Sequence, residues 1–203
     1  MNTRFQYKIP VIITIISLTL SVYTTSRAAG LSLDAPKKID IPGRMQAREM
    51  NSAEQLILTD EQEEYPLGLH LEILEDSGGG LTISDVSSPK FEAQFTPSEI
   101  EVPNYGYTDS AYWVRIHLDN ETLYTNEWLL EVGFANTQYV DLYAPLPDNT
   151  GFDIKQTGSL RPVSTRDVLY PNIVLSLNIP TQSHVTYYLR FKSGASMTLP
   201  LTL

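Results

Sequence analysis

Few side chains in this chain of 203 residues are of a type that does chemistry unaided. Its three histidines, His70, His117 and His184, stand far apart, and cysteine is absent. Protein zinc sites use ligands at short spacings or bring distant ones together by folding, and no pair here has the spacing. No metal ligand set is therefore expected. There is no Gly-x-Ser-x-Gly elbow and no thiol nucleophile, so acyl transfer has no support. The run Gly78-Gly79-Gly80 is not followed by Lys-Ser or Lys-Thr and opens no strand-to-helix fingerprint, so it reads as a turn rather than a phosphate cradle. Carboxylates are plentiful, but a glycosidase pair is defined by geometry and not by abundance. The expectation is a protein that is not an enzyme and holds no cofactor.

What remains is aromatic and arginine content. In Gly106 to Asn120, side chains alternate with period two: Tyr112, Val114, Ile116 and Leu118 on one face, Trp113, Arg115, His117 and Asp119 on the other. An indole beside a guanidinium is costly to bury without partners, so the second face is either a packed Trp with a satisfied Arg under a loop, or a ligand surface. Tyr112, Trp113, Trp128, Tyr139, Tyr143, Tyr170, Tyr187 and Tyr188 fall mostly in expected strands, accompanied by Arg115, Arg166 and Arg190. Flat aromatic rings and planar bidentate donors suit sugar rings or a ligand carboxylate, and the same residues also build ordinary sandwich cores.

The elements that must position these residues are strands. Gln55 to Thr59 is a candidate first strand, followed by an acidic turn at Asp60, Glu61, Glu63 and Glu64. Leu67 to Asp76 fits a strand and a helical turn equally well, and Thr82 or Ser84 is placed to cap a brief helical turn. From Phe91 to Phe95 onward, strands are expected at 111–119, 127–132, 138–143, 151–156, 172–179, 184–191 and 197–203. They are separated by Pro103-Asn104, Asp119-Asn120, Pro145 to Gly151, Pro180 to Gln182 and Ser193-Gly194. Short strands at even spacing without intervening helices predict an all-β, antiparallel, jelly-roll-like β-sandwich with one short helical turn. Its core faces should carry Val174 or its neighbours Ile173, Leu175, Leu177 and Ile179, together with Val185, Tyr187, Leu189 and Phe191.

Ahead of the sandwich, Arg4 and Lys8 precede the apolar run Ile9 to Val22, and small residues follow at Ser26 to Gly30. That is the pattern of a secretory signal peptide over residues 1–28, and the run is short of the roughly 20 residues that span a bilayer. Residues 29–54, with Pro36, Pro42 and Gly43 and no sustained apolar period, read as a mobile lead-in to a domain at 55–203. The chain carries 24 acidic against 14 basic side chains, a net charge of -10, which leaves no basic stripe for nucleic acid. An exported chain without cysteine is stabilised by burial and hydrogen bonding alone.

Tyr112-Trp113-Val114-Arg115 followed by Asn120 belongs to an ordered set that begins at Leu74-Glu75-Asp76. It continues with Trp128-Leu129-Leu130-Glu131, Val140-Asp141-Leu142-Tyr143, Thr157-Gly158, Arg166 and Tyr187-Tyr188-Leu189-Arg190. From about Leu67 to Leu203 this set resembles the second type of extracellular domain of bacterial seven-transmembrane receptors with diverse intracellular signalling modules. The resemblance implies a jelly-roll-like domain outside the inner membrane that binds a carbohydrate-like or other small ligand and signals through a membrane bundle. Carried over residue by residue, it marks Trp113, Arg115, Tyr143, Arg166 and Arg190 as candidate ligand contacts. The expected partners are a small-molecule or carbohydrate ligand and a membrane-embedded signalling component. The alternatives are a free-standing secreted carbohydrate-binding module and a purely structural interaction domain.

Overall fold

The computed structural model describes residues 53–203. The expected signal peptide and all of the lead-in except Ala53 and Glu54 lie outside the described residues. The strands run in chain order as β1 Leu56–Leu58, β2 Leu71–Asp76, β3 Thr96–Pro97, β4 Asn104–Tyr107, β5 Ala111–Asn120 and β6 Glu127–Val132. Then follow β7 Tyr139–Pro145, β8 Phe152–Thr157, β9 Ile173–Asn178, β10 Ser183–Lys192, β11 Ser196–Thr198 and β12 Leu201–Thr202. The ambiguous stretch after Leu67 divides into a 3-10 turn, Gly68–His70, and β2. Thr82 caps the short helix α1, Ile83–Val86, through a capping box in which its hydroxyl and the Asp85 carboxylate exchange bonds with each other's backbone N–H.

Two sheets form the sandwich. The larger has the order β3-β2-β5-β10-β7-β8, with β1 paired to the far end of β5; the smaller is β12-β6-β9, and β11 pairs with β4 beside them. Pairing is antiparallel throughout, apart from β1 against β5, which is parallel. The expected antiparallel sandwich thus forms, with β1 as a parallel addition at the edge of β5. β1 and β2 follow one another along the same edge of β5, and the chain reverses between them through the acidic turn and the 3-10 turn.

Alternation then does what the side-chain pattern requires. Tyr112, Val114, Ile116 and Leu118 of β5 meet Trp128, Leu130 and Val132 of β6 and Ile173, Leu175 and Leu177 of β9 in one core, joined by Tyr187, Leu189 and Phe191 of β10. Each fully buried Leu or Ile contributes about 1.5–3 kcal/mol, and Leu130, Ile173, Leu175 and Ile179 are buried completely. Two expected elements differ. Phe91 to Phe95 is a 3-10 turn, Glu92–Gln94, instead of a strand, because Phe91 and Phe95 turn inward to cover the large sheet. The final strand is broken at Leu199-Pro200 into β11 and β12, since Pro has no N–H to give to a ladder.

Gly158 ends β8 with φ +141, and a Cβ there would collide with the carbonyl oxygen of Gln138. Replacing it with alanine should cost about 1–3 kcal/mol or more of unfolding free energy, because a backbone atom cannot move aside as a flexible side chain can. Urea denaturation of Gly158→Ala checks this; an unchanged midpoint would show that the β8 to β9 connection is free to shift.

Candidate functional site

The outer face of the large sheet, away from the inter-sheet core, carries the polar groups. Register sets them in rows. One row runs Leu74, Trp113, Arg190, Asp141, Gln156 across β2, β5, β10, β7 and β8; the next runs Glu72, Arg115, Tyr188, Tyr143, Ile154. A third holds His117 opposite Thr186, and a fourth Asp119 opposite His184. The segment from Leu81 to Phe95 folds over part of this face and makes a second apolar cluster of Leu74, Val86, Phe95, Trp113, Tyr143 and Tyr188.

This placement decides between the two readings of the Trp113 face. Trp113 is fully buried beneath the segment, 5.3 Å from the Tyr143 ring, so both are packing residues and not exposed ligand contacts. Its Nε1 has no hydrogen-bond partner among the described residues. Arg115 lies under the Phe95 ring, 4.4 Å from its centroid, and its Nε donates to Glu72 Oε2 at 2.5 Å. The Glu72 side chain is 1% exposed and Arg115 11%. His117 Nε2 also lies 3.1 Å from Glu72 Oε2, and the Ala53 N–H donates to Glu72 Oε1 at 3.1 Å. Burial pushes the Glu72 carboxyl up, but the bonds from His117 and Arg115 outweigh it and hold it below the ordinary glutamate value. Arg115 is thus ion-paired to Glu72 beneath the Phe95 ring.

Arg166 is remote from these rows. It sits in the β8 to β9 connection, where Nη1 donates to the Tyr170 carbonyl at 2.7 Å and braces the loop. The neighbouring Asp167 accepts from Lys155 Nζ at 2.6 Å and from the Ser176 N–H at 2.8 Å. Of the five candidate residues, Trp113, Tyr143 and Arg190 therefore come together, Arg115 joins the adjacent row, and Arg166 stands apart.

Two of the three histidines, His117 and His184, are brought together by the fold. The His117 and His184 rings stack 6.1 Å apart, His184 Nδ1 lies 2.9 Å from Asp119 Oδ1, and His70 Nδ1 lies 2.9 Å from the Glu54 carbonyl oxygen. Among the described residues no group of three or more His, Asp or Glu side chains is placed to hold a metal ion. The Asn120-Glu121-Thr122 sequon is likewise occupied structurally. The buried Asn120 amide donates to the carbonyls of Thr125 and Ile179, both at 2.8 Å, and its Oδ1 accepts from the Thr122 hydroxyl.

The remaining polar centre is Asp141, 6% exposed, on the same row as Trp113. Arg161 Nη2 donates to its Oδ1 at 2.8 Å and Gln156 Nε2 to the same oxygen at 3.2 Å. Arg190 Nη1 approaches Oδ2 only to 3.9 Å, while its Nη2 donates to the Gly79 carbonyl at 3.0 Å. Arg161 rests over the Tyr139 ring and Arg190 over Trp113, with centroid distances of 5.6 and 5.9 Å. Burial pushes the Asp141 carboxyl up, and the two guanidiniums and Gln156 offset this only in part. Burial and the nearby Asp141 raise the Tyr143 hydroxyl as well. Gln156 and Lys192 open the cluster to solvent. Asp141, Arg161 and Gln156 escaped the sequence reading because strand register joins Asp141 to Gln156 and the β8 to β9 connection returns Arg161 to them, neither of which spacing along the chain carries.

Among the described residues no helix is long and apolar enough to cross a membrane. No curated protein matches the chain. The 7TMR-DISM extracellular 2 family matches residues 68–203, from the 3-10 turn before β2 through β12. The match takes in every row of the outer face and the segment that covers it, and the chain therefore belongs to the 7TMR-DISM extracellular 2 family, as an extracellular sensor domain of a receptor.

Proposed function

We propose that the domain binds a small, carbohydrate-like or comparable polar ligand on the outer face of its large sheet and passes that event to a membrane-embedded signalling partner, without catalysing a reaction. The observation that carries this reading is the Asp141 cluster. Arg161 and Arg190 gather at one carboxylate, flanked by Tyr139, with Gln156 and Lys192 at a rim open to solvent. Oriented donors beside aromatic rings are what a hydroxylated ring or an acid requires for recognition. The Gly79 carbonyl that holds Arg190 lies just ahead of the covering segment, so occupancy at the cluster bears on the turn that leads into the sheet's cover.

Thermal denaturation of the purified chain against a panel of sugars and small acids tests the proposal. A ligand at about 100 times its dissociation constant adds roughly 2.7 kcal/mol of stability, which should raise the midpoint by several degrees. A panel of broad chemistry that moves the midpoint nowhere would overturn it.

A further inference from the structure

The Asp141 cluster supports a finer statement, which rests on the ligand-binding reading above. From the imbalance of donors and acceptors around Asp141 we infer that the ligand carries a carboxylate, taken by Arg161 and Arg190 together. Each guanidinium has five N–H donors in a planar fork. Among the described residues, the hydrogen bonds of this pair end on one oxygen of Asp141, from Arg161, and on the Gly79 carbonyl, from Arg190. Arg190 Nη1 faces the second Asp141 oxygen at 3.9 Å, within ion-pair range and outside hydrogen-bond range. Two cations thus share one anion, in a chain whose net charge is -10.

The neighbours do not remove the imbalance. Asp76, on the adjacent row, directs Oδ2 to the Leu81 N–H at 2.9 Å, and Lys192 adds a further exposed cation beside Gly79. Rigidity favours recognition over a loose surface pair. Arg161 is 22% exposed and Arg190 16%, each is stacked on an aromatic ring, and the backbone N–H of Arg161 donates to the Gly158 carbonyl at 3.1 Å. Gly158 cannot be replaced without a collision, so the connection that delivers Arg161 is fixed. A carboxylate also matches the acceptor already present. Asp141 is the protein's own example of the group that the arginine pair holds, and a ligand carboxylate would enter beside it on the solvent side, where the Gln156 and Lys192 side chains stand.

Isothermal titration of the full chain with glucuronate, glucose and succinate tests this. Glucuronate should bind at least about tenfold more tightly than glucose, the difference that charge-assisted bonds to a guanidinium support. Arg161→Gln should lose about tenfold or more of that affinity, and Arg161→Lys, which keeps the charge without the fork, should lose part of it with the fold intact. Asp141→Asn is the sharper variant. It removes the built-in competitor, so glucuronate should bind it more tightly than the wild-type chain and raise its melting temperature by more; a merely structural triad would show neither. Succinate binding as tightly as glucuronate supports the inference with a small acid as ligand, and preference for glucuronate supports it with an acidic sugar. Acids that bind no better than glucose to both the wild-type chain and Asp141→Asn would overturn the carboxylate assignment. In that outcome, glucose or another neutral ligand that bound would leave the sensor reading standing.

Discussion

Trp113→Ala should lower the stability of the domain by about 3–5 kcal/mol, the range for deleting a large aromatic from a close-packed site. For a domain of this length that corresponds to a fall in melting temperature of about 10 °C. Trp113 is fully buried, with Tyr143 on one side and the segment carrying Val86 and Phe95 above it, so the cavity has no mobile neighbour to collapse into it. Thermal or urea denaturation measures the effect directly. A loss of ligand affinity at unchanged stability would show instead that the indole faces a ligand. Because Arg190 lies over the same ring, the variant should also weaken binding at the Asp141 cluster, as a consequence of lost support beneath the guanidinium.

Glu72→Gln should cost about 3 kcal/mol near neutral pH, since breaking a buried ion pair leaves the surviving charge uncompensated. The Glu72 carboxylate serves Arg115, His117 and the Ala53 N–H at once. The sign of the pH dependence follows from its lowered pKa. A carboxyl depressed on folding contributes stability that is present above its unfolded value, near the ordinary 4.5, and is lost as pH falls through the lower folded value. Asp141 works in the opposite direction, because its carboxyl is raised, so its ionisation on passing from acid to neutral pH subtracts stability. The gap in stability between wild type and Glu72→Gln should therefore be widest near neutrality and close below about pH 4, with Asp141 common to both chains. Urea midpoints measured from pH 3 to 7 check this, and a gap independent of pH would show that Glu72 is not ionised in the folded domain.

Most strands were legible because burial on one face imposes a period of two that chemistry alone reveals. β5, β6, β7, β9 and β10 fall where alternation placed them, and the core residues Ile173, Leu175, Leu177, Tyr187, Leu189 and Phe191 are buried. The misjudged pieces are those whose side chains obey a long-range demand. Phe91 and Phe95 have strand-like composition but cap the large sheet from a 3-10 turn. β4 lies in a stretch read partly as a turn, and it is recruited by β11 some ninety residues away in sequence.

The candidate site divides in the same way. The sequence by itself determined that the chain is rich in acids, that it is built of strands, that Trp113 and Arg115 share one face of β5, and that its ordered motifs resemble a receptor's extracellular domain. Only the tertiary structure decided what that face meets. Alternation specifies which side chains point the same way, while cover and cross-strand neighbours depend on register and on a separate segment folding back. That is why Trp113 proves to be packing and Arg115 a partner of Glu72, whereas Arg190 meets Asp141 and Arg161 from two other parts of the chain.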